Sequence, residues 1–281
     1  MAKRMTFSLF FLMVITSAPL FAGDKYYEHM LDAASNGDAE AQYNLGMIFK
    51  KGDGQPRNSV EAFKWFKKAA EQGHLEAQQV LGMMFTKGEG VSQNPQEALE
   101  WFSKAAEQGN ADMQYRLGAM YYDGKVIPRD YGEAMKWFKK SAEKDHVKAQ
   151  YVLAKMYVKG QGTQQNFEEA AKWCEKSAEK GHVDAQHNLG IMYGKGTGVT
   201  RDYEKAYIWF SVAFMEGKKG ARKGMAIIES KMTQDELDLA QEKATELHEK
   251  IYKTPSEEKE EARKKAAALW EEHNKNRKPP K

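Results

Sequence analysis

Tryptophan recurs every 36 residues along most of the chain, at Trp65, Trp101, Trp137, Trp173 and Trp209. Three more columns keep the same step: Leu45, Leu81, Leu117, Leu153 and Leu189; Phe49, Phe85, Tyr121, Tyr157 and Tyr193; Gly52, Gly88, Gly124, Gly160 and Gly196. No unit gains or loses a residue. A period this long and this strict requires an array of stacked, near-identical supersecondary units. Such an array has no single centre and enlarges its core by adding neighbours, so the 281 residues measure repeat number rather than domain count.

One unit runs from Asp38 to Gly73. In its first half Ala41, Leu45, Ile48 and Phe49 recur at three-to-four spacing, the buried stripe of an amphipathic helix. Gly46 sits inside that helix and returns at Gly82, Gly118 and Gly190. A mid-helix glycine costs about 1 kcal/mol relative to alanine, so its return predicts a second helix crossing closely there. Gly52 ends the first helix. The column Asn58, Asn94, Asp130, Asn166 and Asp202 caps the second. Glu61, Glu97, Glu133 and Glu169 follow three residues later, a capping-box pattern in four units, with Lys205 in the fifth. The second helix is expected to bury Ala62, Trp65, Phe66, Ala69 and Ala70 and to stop at Gly73. The fold class is therefore all-α, an α/α solenoid of helical hairpins that have no independent core.

The hairpin resembles the Sel-one-like repeat, a relative of the tetratricopeptide repeat. The resemblance is carried by A-x-A-Q-x-x-L-G-x-x-[FY] over Ala39 to Phe49, by Lys51-Gly52-Asp53-Gly54, and by the run from Glu61 to Gly73. It covers five units over residues 38–217. Departures are local: Val126 replaces the second loop glycine, Asp145 the terminal glycine and Ala154 the helix glycine.

Solenoids need atypical ends. Residues 23–37 read as an N-terminal capping helix, because Ala33, Ala34 and Gly37 precede Ala69, Ala70 and Gly73 by one period. Residues 218–253 read as a half repeat, continued through Ala221 and Met225, and a closing helix opened by the capping box Thr233 to Glu236 with Leu237, Ala240, Ala244, Leu247 and Ile251 inward. Residues 254–281 form a charged tail, with Trp270 as its one tryptophan. At the other end Lys3 and Arg4 precede an apolar run from Phe7 to Ile15 and small residues to Ala22, the pattern of a signal peptide over residues 1–22 cleaved near Ala22. The run is short for a membrane span. Export to the periplasm or beyond is expected, with no stable membrane insertion after cleavage.

Without the leader the chain carries 41 Lys+Arg against 40 Asp+Glu, a balance that gives no reason to expect nucleic acid. The lone Cys174 stands in the column of Phe66, Phe102, Phe138 and Phe210, which predicts a small buried apolar side chain. His74, His146 and His182 share one column too widely spaced for one metal ion, and His182 and His187, a pair without a third ligand, read as surface residues. The K-G-x-G loops repeat as turn glycines and follow no strand. No cofactor, no metal and no catalytic residue is expected.

In the tetratricopeptide fold first helices line the concave face, and the resemblance implies the same groove here. The positions off the buried stripe, Glu40, Tyr43, Asn44, Met47 and Lys50, then face it, with Gln79, Met83, Tyr115, Arg116, Tyr122, Tyr151, Lys155, His187 and Asn188 in later units. Tyrosine and arginine tend to anchor interfaces. Lys51, Lys87, Lys159 and Lys195 add a basic rim suited to an acidic segment. The resulting expectation is a non-catalytic monomeric adaptor that binds a protein or peptide. Two alternatives stand beside it: an envelope scaffold acting through the convex face or the tail, and a cell-wall-ligand or β-lactam protein. The second is what the family's cysteine-rich members imply, but they carry a cysteine pair in each repeat.

Overall fold

The computed structural model describes residues 22–252 together with Lys264, Lys265 and Ala268, with side chains from Tyr27 onward. The leader expected over residues 1–22 lies outside the described residues except for Ala22, and nearly all of the tail over 254–281 does as well. Thirteen helices and no strand form among the described residues: α1 (Ala22–Ser35), α2 (Ala39–Lys51), α3 (Ser59–Glu71), α4 (Leu75–Lys87), α5 (Pro95–Glu107), α6 (Ala111–Asp123), α7 (Tyr131–Glu143), α8 (Val147–Lys159), α9 (Phe167–Glu179), α10 (Val183–Lys195), α11 (Tyr203–Met215), α12 (Lys219–Glu229) and α13 (Gln234–Ile251). From α1 to α12 each helix packs on the next in sequence, whereas α13 folds back onto α11. The architecture is a solenoid of helical hairpins.

The glycine inside each first helix is a contact point. A carbon added at Gly46, Gly82, Gly118 or Gly190 would come within 2.8 to 2.9 Å of the ring of Phe66, Phe102, Phe138 or Phe210 on the second helix. The cost of glycine is offset because the partner phenylalanine becomes almost fully buried; Phe66 and Phe138 are 0% and 1% exposed. The fourth unit keeps the pairing with other residues: Ala154 adds a methyl where Cys174 has removed a ring. Cys174 is buried, its thiol donates to the Ala185 carbonyl at 3.3 Å, and burial pushes the thiol up to about 12, so it is protonated at neutral pH.

The tryptophan column is less uniform than its period implies. Trp101, Trp173 and Trp209 are buried, whereas Trp65 and Trp137 are partly exposed, each beneath a lysine at 4.1 Å, Lys68 and Lys140. Ile48 and Phe49 are likewise only half-buried, while the equivalent Met84 and Phe85 one period on are buried. Met120 and Tyr121 of the third unit are half-buried too, so the difference is not confined to the end of the array.

The capping-box expectation fails within the repeats. Asn58, Asn94, Asp130, Asn166 and Asp202 do cap the second helices through their side chains. The reciprocal half is absent because the backbone N–H of each cap residue already donates to the preceding helix, as from Asn58 to Phe49 and from Asp130 to Tyr121. The glutamates turn elsewhere: Glu61, Glu133 and Glu169 pair with Lys64, Lys136 and Lys172 at 2.6 to 2.7 Å, and Glu97 accepts from Trp101 Nε1. Thr233 and Glu236, with no helix directly behind them, form both halves of the box.

The glutamine of the A-x-A-Q motif supplies a polar seam. Gln42, Gln78, Gln114, Gln150 and Gln186 are all buried, and each donates to a carbonyl eight residues earlier at 3.0 to 3.1 Å. Their oxygens accept from the residue that ends the second helix of the same unit, Gln42 from Gln72 and Gln78 from Gln108, both at 2.8 Å. Where Lys144 and Lys180 occupy the donor position, Gln114 Oε1 and Gln150 Oε1 have no hydrogen-bond partner among the described residues. At the far end Tyr252, just beyond α13, bonds Gln186 and the Gly181 carbonyl at 3.1 Å, as Gln108 does with Gln78 and the Gly73 carbonyl. Among the described residues no helix is long and apolar enough to cross a membrane.

Candidate interaction face

Three clefts repeat in register along the first helices. One of ≈ 380 Å³ lies between α4 and α6 and takes in Met83, Tyr115 and Arg116. A second of ≈ 290 Å³ lies between α8 and α10 and takes in Tyr151, Lys155 and Asn188. The third, also ≈ 290 Å³, lies between α10 and α12 and takes in His187. Tyr43, Asn44, Met47, Gln79 and Tyr122 line none of these three. Of the fourteen residues expected in the groove, Glu40 and Arg116 are exposed; the others are half-buried. Arg116 is paired with Asp112 at 2.7 Å along its own helix.

The half-burial has a cause that the periodicity did not indicate. Tyr43, Tyr115 and Tyr151 stack on His74, His146 and His182 of the following unit, with ring centroids 4.7, 4.6 and 4.3 Å apart. Tyr43 and Tyr115 also lean on Phe66 and Phe138, and His187 takes the same place against Phe210. These rings tie neighbouring repeats together, so they are not free interface anchors. Burial raises the phenols of Tyr43, Tyr115 and Tyr151 above their ordinary value, which keeps all three neutral. Tyr122 is committed as well: its hydroxyl donates to Gln161 Oε1 at 3.1 Å and its ring meets Tyr131 and Phe138. Asn44 donates to Glu40, and Asn188 donates to the Tyr151 hydroxyl.

The histidine column is corrected by the same contacts. His182 is not a surface residue but, like His74 and His146, the N-cap of a first helix, and each accepts a backbone N–H at Nδ1 over 3.1 to 3.3 Å. Asp38 and Asn110 hold the same position in the other units, and that mixture of Asp, Asn and His was the signal in the sequence for a cap. A cap of this kind needs an unprotonated Nδ1. Burial pushes His146 and His182 below the ordinary histidine range, outweighing Asp112 beside the first and Asp184 beside the second. The folded state therefore resists protons that the unfolded chain takes up near pH 6.5. Stability is full above that pH and declines as the pH falls through it. Melting temperature is expected to drop between about pH 7.5 and about pH 5.5, and the double variant His146→Asn/His182→Asn, built on Asn110, to lose most of that drop. An equal drop in the variant would remove the histidine caps as its source.

Lys51, Lys87, Lys159 and Lys195 are exposed at the ends of their first helices; Lys87 borders the first cleft, Lys159 and Lys195 the second, and Lys195 the third. Among the described residues no group of three His, Cys, Asp or Glu side chains could hold a metal ion.

The Sel1 repeat is matched five times in succession, at residues 39–74, 75–110, 111–146, 147–182 and 183–218. The chain belongs to the Sel1-repeat family. Among solved structures it is similar to a protective antigen of uropathogenic Escherichia coli that displays an SLR fold, at 31% identity and a TM-score of 0.64, over 91% of this chain and 52% of the antigen. The chain thus spans about half the length of that protein. It is also similar to a Sel1 repeat protein from Oxalobacter formigenes, at 30% identity and a TM-score of 0.64, over 79% of this chain and 94% of that one. None of the curated proteins matches this chain. Sel1-repeat solenoids generally serve as protein-interaction scaffolds and are typically non-catalytic.

Proposed function

We propose that this Sel1-repeat protein is an exported adaptor that holds a protein or peptide segment along the face lined by α4, α6, α8, α10 and α12. The reading is carried by the row of clefts at a constant register, with apolar walls and a lysine at each margin. Sites spaced by one or two repeats along one face suit an extended segment, which can place separate side chains in separate clefts. The buried thiol of Cys174 and the structural commitments of the histidines support a binding role over a chemical one.

The test replaces groups that the fold does not need. Arg116→Glu together with Lys155→Glu alters charge at two clefts and leaves every tyrosine and histidine of the stacks in place, Lys155 meeting them only through its ammonium 5.4 Å above the Tyr151 ring. Capture of the principal envelope partner is expected to weaken at least tenfold, about 1.4 kcal/mol, with melting temperature nearly unchanged. Unimpaired capture by that variant, with capture lost on deleting residues 254–281, would move the interaction to the tail. Export rests on the apolar run from Phe7 to Ile15 and the small residues that follow it. Mass spectrometry of the native protein should find the mature chain starting near Gly23; a chain that still begins with the leader would reject it.

A further inference from the structure

The cleft between α8 and α10 differs from its counterparts in what has been taken out of it. In the third repeat the same place is filled by three rings: Tyr122 lies 5.3 Å from Tyr131 and 6.1 Å from Phe138, centroid to centroid. One period later these positions are Val158, Phe167 and Cys174, so two of the three rings are gone. Ala154, in place of the helix glycine, returns only a methyl. What remains is a cleft of ≈ 290 Å³ with Cys174 and Ala170 among its lining residues. That is near the lower end of ligand-site volumes, room for one large side chain rather than an extended cofactor.

Its walls are also left uncovered. Val158 and Phe167 are 38% and 37% exposed, and both line this cleft. Leaving large apolar groups in water is unfavourable unless something covers them. The margin is wholly cationic: Lys155, Lys159 and Lys195 line the cleft with no carboxylate beside them, and among the described residues none of the three has a carboxylate partner within salt-bridge distance. The counterpart between α4 and α6 has Asp123 where Lys195 stands here, and Phe102 in place of Cys174.

We propose that the Val158–Phe167–Cys174 cleft is the anchor pocket of the interaction face, taking one aromatic side chain of a partner segment whose neighbouring residues are Asp or Glu. The inference rests on the adaptor reading above and names the chemistry of its partner. The side chain replaces the ring that Cys174 removed and covers Val158 and Phe167, and the flanking carboxylates meet the three lysines. An aromatic residue gives the largest buried area with few torsions to fix, and the cationic margin speeds and orients the encounter.

Two variants close the pocket in different ways. Ala154→Gly with Cys174→Phe rebuilds the glycine–phenylalanine pair that the other four repeats use. Val158→Tyr places the residue of the third repeat at a half-open surface position, where it does not have to fit a closed core. The probe is a fluorescein-labelled peptide with one Trp flanked by two Glu on each side, read by anisotropy with the full chain. Affinity is expected to fall at least tenfold in each pocket variant and with a peptide whose Trp is replaced by Ala. Lys155→Ala/Lys159→Ala/Lys195→Ala is expected to weaken binding and to flatten its dependence on salt. Undiminished peptide binding by Val158→Tyr in a protein that melts like the parent would overturn the pocket. The tail itself carries Trp270-Glu271-Glu272; binding seen only after deletion of residues 254–281 would make the tail the occupant and overturn the partner. Full capture of the native partner by Val158→Tyr, alongside loss of capture by Arg116→Glu/Lys155→Glu, would reject this pocket while leaving the interaction face in place.

Discussion

Truncating Phe138 to alanine is expected to destabilise the protein by about 3 to 5 kcal/mol, the range for deleting a buried aromatic ring. The ring is 1% exposed, lies against Gly118 and touches the rings of Tyr115 and Tyr122, so its removal leaves a hole bordered by a backbone that has no side chain to move into it. Trp137→Ala, one residue earlier, should cost less than Phe138→Ala. Trp137 is the larger side chain and belongs to the most regular column in the sequence, but it is partly open to water beneath Lys140. Urea unfolding of the two variants in parallel decides the matter. If Trp137→Ala proves the more damaging, the burial order argued for the second helix is wrong. In a stacked array each unit is supported by its neighbours, so the loss at Phe138 should be felt as earlier melting of the adjoining repeats too.

Gly198→Ala should be of similar size, about 3 to 5 kcal/mol, from overpacking together with a left-handed backbone. The glycine has φ of 72°, and a carbon added there would lie 1.9 Å from the Phe167 carbonyl oxygen, inside the contact of two atoms that cannot be bent aside like the end of a side chain. Gly162 against Tyr131 and Gly90 against Ser59 repeat the arrangement at 2.2 and 2.1 Å. Gly54 occupies the same column with φ of 73°, yet a carbon there meets nothing within 4 Å among the described residues. Gly54→Ala should therefore cost only the backbone preference, about 1 to 2 kcal/mol. Equal losses of melting temperature at Gly54 and Gly198 would show that the loop does not rest on the preceding helix as described.

Sequence periodicity by itself determined a great deal of this protein. The 36-residue step, the helix-ending glycines, the asparagine and aspartate caps and the glycine–phenylalanine columns together dictate paired helices and their stacking, because each is a local requirement repeated at a fixed interval. The tyrosines, arginine and lysines of the first helices were legible as positions off the buried stripe. Only the tertiary structure decided what those positions do. A residue facing away from its own hairpin can face the next one, and contacts between units 36 residues apart leave no mark within a single helical stripe. That is why Tyr115 and Tyr151 proved to be stacked on histidine caps rather than free, and why the glutamates of the capping-box pattern were released to lysines. It is also why Trp65 and Trp137 are more exposed than Trp101. The cleft above Cys174 shows the limit most clearly. The missing phenylalanine could be seen in the column, but whether the space closed or stayed open depended on Val158, Phe167 and Ala154, which meet only in three dimensions.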